Sequence, residues 1–301
     1  MIHGVINIYK ERGYTSHDVV GKLRGILKQK KIGHTGTLDP DATGVLPVCL
    51  GKATKLCDLI AEWDKTYEAV LLLGKETDTE DTSGSVIKES EVNVDEKTIQ
   101  EIILSFVGDY MQIPPMYSAK KIKGKKLYEL AREGIVIERK PCSVTIFKID
   151  IKEISLPYVR FEVTCSKGTY IRSLCRDIGE KAGCGGCMAS LVRTRVSAFC
   201  IDDAITLDEL EQMRDNNLLD TCIRPVDTVF LEYPSVIALK EAERYLYNGN
   251  KISLRYCKTD AGWNEDGFCR VYDREGHFIG IYQKESNEEM LKPHKLFFDL
   301  P

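Results

Sequence analysis

The stretch Gly33–Gly44, with the sequence GHTGTLDPDATG, constrains the fold of this chain more than any other segment. Apart from two aspartates, one histidine, one proline and one leucine, it contains only glycine, threonine and alanine, a composition typical of neither a buried strand nor an amphipathic helix. Glycines let the backbone approach a ligand closely, and Pro40 fixes the chain just after Asp39. We therefore predict a rigid loop that presents the Asp39 carboxylate to a substrate. A surface turn with capping aspartates is the alternative.

The composition indicates a globular protein without membrane segments. The chain has 301 residues, of which 43% are hydrophobic and 29% are charged, and this length corresponds to about two domains. No apolar run approaches the ~18 residues of a membrane span, and no basic and apolar leader opens the chain. Eleven scattered cysteines without the spacing of a small disulfide scaffold are typical of a reducing compartment, so we expect a cytoplasmic protein.

One segment carries a strong positive charge, although the formal net charge of the chain is −4. Three glutamates oppose eight basic residues, which are Lys120, Lys121, Lys123, Lys125, Lys126, Arg132, Arg139 and Lys140. Such a local concentration of lysine and arginine predicts a surface that binds nucleic-acid phosphates. An ordinary solvated face is the alternative that the charge run alone leaves open.

The periodicity of the apolar residues predicts a large α+β domain followed by a small β-rich one, with the boundary near residues 231–235. Ser16 is expected to cap a helix that spans residues 16–27, and Thr206 to open a capping box. Two β-like runs separated by the sequence DREGH predict a hairpin in the C-terminal part. The polar stretch Glu76–Gly84 is expected to form a mobile loop.

Two further stretches carry side chains that are candidates to act with Asp39. The sequence KTY places Tyr67 near the start of a predicted strand, and CSKGTYIR runs from a strand end through a glycine turn into a helix. Arg172 lies in the first turn of that helix, where the helix dipole disfavours a cation, so we expect it to have an anionic partner. A guanidinium holds a carboxylate in a forked geometry, which makes Asp39 the expected partner.

These segments together resemble a known enzyme family. The motifs are GHTGTLDPDATGVLPVCLGKATK, KTYEAVLLLG, CSKGTYIRSLCRDIGEKAG, ASLVRT and IPPMYSAKKIKGKKLYELAREG. In their order they are similar to the TruB-type pseudouridine synthases, which convert uridine 55 in the T loop of tRNA to pseudouridine. The stretches KEAERYLYNGNKI and FCRVYDREGHFIGIY, nearer the C-terminus, resemble a PUA RNA-binding module.

The resemblance implies a fold and a domain organisation. Residues 1–232 are expected to form a mixed, largely antiparallel sheet flanked by helices, the pseudouridine synthase fold. An insertion that grips tRNA is expected at about residues 112–141, and a PUA-like domain at residues 235–301. The implied partner is tRNA, bound through its T arm by a monomer with no obligate protein partner. Because the reaction is an isomerisation, neither a metal nor an organic cofactor is expected.

The resemblance also implies catalytic roles. Asp39 corresponds to the catalytic aspartate, Tyr67 to the active-site tyrosine, and Arg172 to the arginine that pairs with the aspartate. Arg172 is expected to lower the pKa of Asp39 and so keep it ionised in a dry pocket. The Tyr67 ring is expected to stack on a flipped uracil, and its phenol to relay a proton. Attack by Asp39 at C6, attack at C1′ and a glycal route all remain open.

Substrate-binding residues follow from the same resemblance. His34 is expected to help hold the displaced base, Lys10 to lie near the entrance of the site, and Leu191 to pack in the pocket. The lysines expected to grip RNA are Lys120, Lys121, Lys123, Lys125 and Lys126. This sequence departs from the family pattern around Lys10 and at Asp41, which affects the local loop shape rather than the catalytic residue types.

Other functions fit parts of the sequence. The segment DPDAT matches the DxDxT pattern of aspartyl-phosphate phosphatases, but the preceding GHTGTL is not the buried strand that this pattern follows. A non-catalytic RNA-binding protein would keep the basic segment, and the catalytic subunit of a guide-RNA complex belongs to the same superfamily. Cys184 and Cys187 have the spacing of a zinc or redox pair, yet no second pair lies nearby, so we interpret them as part of a glycine turn.

Overall fold

The computed structural model describes residues 1–122, 124–259, 263, 266–285 and 289–298. The strands are β1 (Gly4–Lys10), β2 (Ile32–His34), β3 (Thr43–Leu50), β4 (Lys65–Leu73), β5 (Lys75–Thr77), β6 (Val86–Glu89), β7 (Gly108–Gln112), β8 (Lys121–Ile122), β9 (Lys125–Lys126), β10 (Cys142–Ser155), β11 (Tyr158–Cys165), β12 (Gly186–Val196), β13 (Phe199–Cys200), β14 (Ile223–Arg224), β15 (Ser235–Ala238), β16 (Ile252–Ser253), β17 (Cys257–Thr259), β18 (Gly267–Tyr272), β19 (Phe278–Lys284) and β20 (Met290–Leu296). The helices are α1 (Ser16–Ile26), α2 (Cys57–Ala61), α3 (Glu96–Leu104), α4 (Leu127–Arg132), α5 (Ile171–Lys181), α6 (Leu207–Asp215) and α7 (Glu243–Tyr247).

The larger sheet has ten strands, ordered β14-β1-β3-β12-β4-β11-β10-β7, with β2 paired to β3 and β13 paired to β12. Its neighbours run antiparallel except β3 and β12, which are parallel. The predicted mixed, largely antiparallel sheet is therefore confirmed. At the parallel crossing Gly44 has a φ of +104°, and a Cβ there would lie 2.2 Å from the carbonyl oxygen of Arg193. Only glycine lets the strand that follows Asp39 approach β12 so closely.

Helices flank this sheet through apolar side chains. Leu23 of α1 and Leu210 of α6 pack in one buried cluster with Ile6 and Ile8 of β1. The helices α3 and α5 pack in a second cluster with side chains of β4, β10 and β11. Because burial of such side chains is the main favourable term in folding, the sheet and its helices form a firm support for the loops at its edge. No helix in the described ranges combines the length and the apolar character that a membrane span requires.

The N-cap of the first helix lies one residue earlier than predicted. Thr15 is the N-cap, and it forms a capping box in which its hydroxyl accepts from the Asp18 amide while the Asp18 carboxylate accepts from the Thr15 amide. Ser16, the predicted cap, is buried, and its hydroxyl instead accepts a hydrogen bond of 2.9 Å from the Leu38 amide. Ser16 therefore attaches helix α1 to the loop that carries Asp39.

The stretch Glu76–Gly84, predicted to be a mobile loop, has many hydrogen-bond partners within the fold. Its side chains bond one another and its backbone bonds β12: the Met188 amide donates to the Glu80 carbonyl at 3.0 Å, and the Thr82 amide donates to the Met188 carbonyl at 3.0 Å. Thr77 and Glu80 are buried. A run of polar residues suggested solvation, but here the polar groups have partners within the fold.

A second sheet of six strands has the order β16-β20-β19-β18-β15-β17. The strands β18 and β19 pair antiparallel on either side of the turn DREGH, so the predicted hairpin is confirmed. Ile281 of β19 and Phe297 are buried in one cluster with Val5, Val45 and Phe230 of the preceding part of the chain. The two sheets are therefore joined by an apolar contact rather than by a solvated linker alone.

The basic segment folds around a small apolar cluster of its own. Met116, Leu127 and Leu130 are buried together, beside the short hairpin of β8 and β9. The Arg139 guanidinium donates to the Pro114 carbonyl at 3.0 Å and so closes the base of the segment. Lys123 lies outside the described residues, and the structure describes the backbone but not the side chains of Lys121 and Lys126.

Candidate active site

The loop that carries Asp39 is held from beneath by strand β1 and helix α1. The Ala42 amide donates to the Asp39 carbonyl at 3.1 Å and closes a turn, while the Gly13 amide donates to the Pro40 carbonyl at 2.9 Å. Lys10 at the end of β1 donates to the same Pro40 carbonyl at 3.1 Å. The loop therefore has a defined conformation in which the Asp39 carboxylate, 39% exposed, is the group that remains open to a ligand.

Lys10, which was expected near the entrance of the site, is fully buried. Its ammonium donates to the carbonyls of Glu11, Tyr14 and Pro40, at 3.1, 2.6 and 3.1 Å. Burial lowers the pKa of Lys10 to about 8, and the nearby Asp39 carboxylate opposes part of this shift. The structure thus makes Lys10 a support of the loop beneath Asp39.

Arg172 contacts Asp39, as the sequence predicts. Its Nε lies 3.0 Å from Asp39 Oδ2, and its side chain is only 6% exposed. The expected forked pairing is absent, because the other two nitrogens have different partners. One donates to the Thr79 carbonyl at 3.0 Å and the other to the Tyr117 carbonyl at 2.8 Å. Arg172 therefore connects Asp39 to the loop after β5 and to the insertion.

Asp81 is a second carboxylate at the site, and the sequence analysis missed it. Its Oδ2 lies 3.6 Å from the guanidinium of Arg172, and its Oδ1 accepts from Thr79 and Ser83. The only signal in the sequence was a polar stretch, and polar stretches are more often solvated loops. Arg172 thus lies between two carboxylates, those of Asp39 and Asp81.

The net pKa shift of Asp39 is opposite to the expected one. Burial raises its pKa above the ordinary value, Arg172 lowers it in part, and the negative charge of Asp81 adds to the rise. Desolvation penalises the ionised form more than one guanidinium, already shared with Asp81, favours it. Removal of water therefore works against ionisation of Asp39, and the Arg172 guanidinium offsets this effect only in part.

Tyr67 is paired with a buried arginine that the sequence analysis did not single out. Arg193 on β12 lies directly opposite Tyr67 on β4. The Arg193 Nε donates to the Val45 carbonyl at 2.6 Å, which fixes this guanidinium against the strand that follows Asp39. Burial raises the pKa of Tyr67, and Arg193 makes a smaller, opposite contribution. Leu191 is buried in the same apolar cluster as Tyr67 and Leu38.

The remaining predicted residues contact groups other than Asp39. His34 ends β2, and its Nδ1 accepts from the Gly36 amide at 3.3 Å. Burial lowers the pKa of His34, and the charges of Arg193 and His17 lower it further. Lys120 donates to the Cys142 sulfur at 2.5 Å, while Lys125 is exposed. None of these contacts reaches Asp39 directly.

A metal centre is not apparent among the residues placed by the structure. Their one group of three potential ligands is Asp273, Glu275 and His277 in the β18–β19 turn, where Asp273 already accepts from Tyr247 and from two backbone amides. Cys184 and Cys187 are buried thiols outside that group. The glycines at positions 183 and 185 have φ values of +78° and +73°, which agrees with the interpretation as a glycine turn.

Comparison with known proteins decides the family. Residues 24–171 match the N-terminal domain model of TruB family pseudouridylate synthases, and residues 172–231 match the C-terminal domain model of tRNA pseudouridylate synthase B. This chain belongs to the TruB family. The tRNA pseudouridine synthase B of Lachnoclostridium phytofermentans is 52% identical over 98% of this chain and 100% of its own length. The protein of the same name from Alkaliphilus oremlandii is 46% identical over 99% of each chain.

The similarity to known proteins includes the fold, as comparison with solved structures shows. The chain matches a Cbf5-Nop10-Gar1 complex with a TM-score of 0.75 and 26% identity, over 98% of this chain and 85% of that one. An H/ACA RNP bound to a substrate RNA containing 2′-deoxyuridine matches with a TM-score of 0.74 and 24% identity, over 99% and 86%. The pseudouridine synthase fold and the enzyme class, an isomerase that acts on RNA, are therefore confirmed. The phosphatase alternative is wrong, since Asp39 follows no parallel strand.

Proposed function

We propose that the chain converts uridine 55 in the T loop of tRNA to pseudouridine, with Asp39 as the nucleophile on a flipped-out base. The observation that carries this proposal is the Asp39 carboxylate held 3.0 Å from the buried guanidinium of Arg172, on a loop supported from beneath by Lys10. Such a carboxylate has a fixed direction and a neighbouring cation, the two properties that a nucleophile in a desolvated site needs. Relatives with the name tRNA pseudouridine synthase B align over nearly the whole chain, which supports tRNA as the substrate.

The reaction breaks the bond between N1 and C1′, forms a bond between C5 and C1′, removes the proton from C5 and adds a proton at N1, so that the product is an isomer of the substrate. Asp39 provides the anion that assists detachment of the base, and Arg172 orients it. Tyr67 is the candidate to relay the C5 proton through its hydroxyl. Burial raises the pKa of Tyr67 and so favours the protonated phenol, and Arg193 offsets part of that effect. No oxidant, reductant or group donor enters this balance.

RNA binding is assigned to two parts of the chain outside the large sheet. The insertion at residues 112–141 has a dense positive charge and is bonded to Arg172 through the Tyr117 carbonyl. The second sheet, within residues 235–301, is proposed to be a PUA-like module that binds the tRNA backbone. With both parts on one chain, we propose a monomer that works in the cytoplasm on the T arm, without a guide RNA or an obligate protein partner. His34 and Leu191 are proposed to contact the displaced base and the pocket.

A matched pair of variants tests the proposal. Purified protein is incubated with unmodified tRNA transcript, and pseudouridine is mapped by carbodiimide modification and primer extension. We expect one stop at uridine 55 with the parent protein, none with Asp39→Asn, and a normal stop with Asp41→Asn. Asp41 is the control because it pairs with Arg12 at the surface, two residues along the same loop. Turnover by Asp39→Asn above a protein-free sample would contradict the assignment of the nucleophile.

A further inference from the structure

Glu80 is a buried acid in the loop between β5 and β6, and it touches none of the proposed catalytic groups. Its Oε2 accepts from the Ser173 hydroxyl at 2.6 Å, and its Oε1 pairs with the Arg176 guanidinium. Its side chain is 9% exposed. Its φ is +64°, in the left-handed region that side chains other than glycine rarely adopt. A residue held in that conformation needs other contacts to offset the cost, and the bonds to α5 are such contacts.

The face of α5 that binds Glu80 is the one that carries Arg172. Arg172 and Arg176 lie one helical turn apart, so their side chains share a face. Three consecutive residues of the loop meet this face: the Thr79 carbonyl and the Asp81 carboxylate contact Arg172, and Glu80 between them contacts Arg176. Glu80 thus lies in sequence between the two residues that contact Arg172, and its own contact is one turn farther along α5.

Arg176 also bonds two groups other than Glu80. Its Nε donates to the Asp177 carboxylate at 2.7 Å, and it donates to the Ile113 carbonyl at 3.4 Å, at the start of the insertion. If Glu80 were lost, Arg176 would keep the Asp177 carboxylate as an ionic partner but would lose its bond to the loop. The loop would then keep its backbone bonds to Met188 and the contacts of Thr79 and Asp81 with Arg172, but it would lose its bonds to Ser173 and Arg176.

We propose that Glu80 is a positioning residue, which acts through Arg176 and Ser173 to hold Thr79 and Asp81 against Arg172 and thereby directs Arg172 toward Asp39. This inference rests on the proposed function, because positioning is measured through the reaction of Asp39. It concerns the direction of the Arg172 guanidinium and not the binding of RNA, since Glu80 is buried and faces the helix. It therefore predicts a change in the rate of the chemical step without a change in affinity.

The test compares Glu80→Gln, Arg176→Gln and the double variant with the parent full-length protein. Single-turnover rates are measured on tRNA transcript, with the tRNA dissociation constant and the melting temperature as separate readouts. Glu153→Gln is the matched control, since Glu153 pairs with Arg160 at the surface, where 55% of its side chain is exposed. Ser173→Ala removes one hydrogen bond and no charge, and it replaces the charge variants if either unfolds below the assay temperature.

We expect each single variant to lose about tenfold in single-turnover rate with the dissociation constant within twofold of the parent. The double variant should lose about the same rather than the product, because the two residues act as one unit. A normal rate in Glu80→Gln, a loss confined to affinity, or independent multiplication of the two losses would each overturn the inference. A parent protein that makes no pseudouridine refutes the proposed function instead, so the two failures are distinguishable.

Discussion

Replacement of Arg172 by lysine tests the geometry of the site most directly. The substitution keeps the positive charge but replaces three nitrogens in a plane by one. In the structure each nitrogen has its own partner, with Nε 3.0 Å from Asp39 and the others donating to the Thr79 and Tyr117 carbonyls at 3.0 and 2.8 Å. A lysine ammonium cannot reach all three positions from one point. Either Asp39 loses its oriented partner, or the two carbonyls lose their donors.

The magnitude follows from the number of bonds lost. A hydrogen bond to a charged group contributes ~1.5–3 kcal/mol, so the loss of two corresponds to ~3–6 kcal/mol. If that energy orients the nucleophile, the rate of the chemical step falls ~10²–10⁴-fold. The cost in unfolding free energy should be smaller, because the ammonium still bonds one partner and water reaches the partly exposed Asp39 carboxylate.

The assay is single-turnover pseudouridine formation on tRNA transcript, with affinity measured separately by filter binding. We expect the rate to fall as stated and the affinity to change less than about threefold, since Arg172 is buried and contacts protein groups. Arg160→Lys is the control, because Arg160 pairs with Glu153 on the exposed side of the sheet. If Arg172→Lys retains a rate within threefold of the parent, orientation of Asp39 by the guanidinium is not part of the mechanism.

Tyr67, Lys10 and the C-terminal sheet each permit a separate test. Tyr67→Phe should slow the chemical step ~10²-fold or more at unchanged tRNA affinity, since a positioned acid or base contributes that much. A rate within threefold of the parent rate would mean that Tyr67 acts only through its ring. The parent rate should decline above about pH 8, where Lys10 loses its proton and its charge near Asp39, and Lys10→Met should be slower at pH 7 and lack this decline. Deletion of residues 235–301 uncovers the cluster that buries Ile281 and Phe297, so the unfolding free energy should fall by ~3–6 kcal/mol and tRNA affinity should drop. An unchanged melting curve and affinity would contradict the last prediction.

Interactions between residues close in the sequence, and the need of one charge for a partner, made several local features of this protein predictable. The turn-forming residues around Asp39 predicted an ordered loop, and the unfavourable position of Arg172 in the first turn of a helix predicted an acidic partner. The capping box at Thr206 is present, because its hydroxyl and the Glu209 carboxylate are only three residues apart. Each of these features depends on neighbours along the chain or on the pairing of one strong charge, and a single sequence contains that information.

Burial and the direction of side chains were decided only by the tertiary structure. Lys10 was expected near the entrance of the site, but it is buried, and the turn at Pro40 supplies one of its carbonyl acceptors. Asp81 became part of the site because its loop folds onto α5, and Arg193 because the register of β12 sets it opposite Tyr67. Even the sign of the pKa shift of Asp39 depends on how much water the folded chain removes from the carboxylate. Desolvation is a sum over groups distant in the sequence, and for that reason it cannot be read from any one segment.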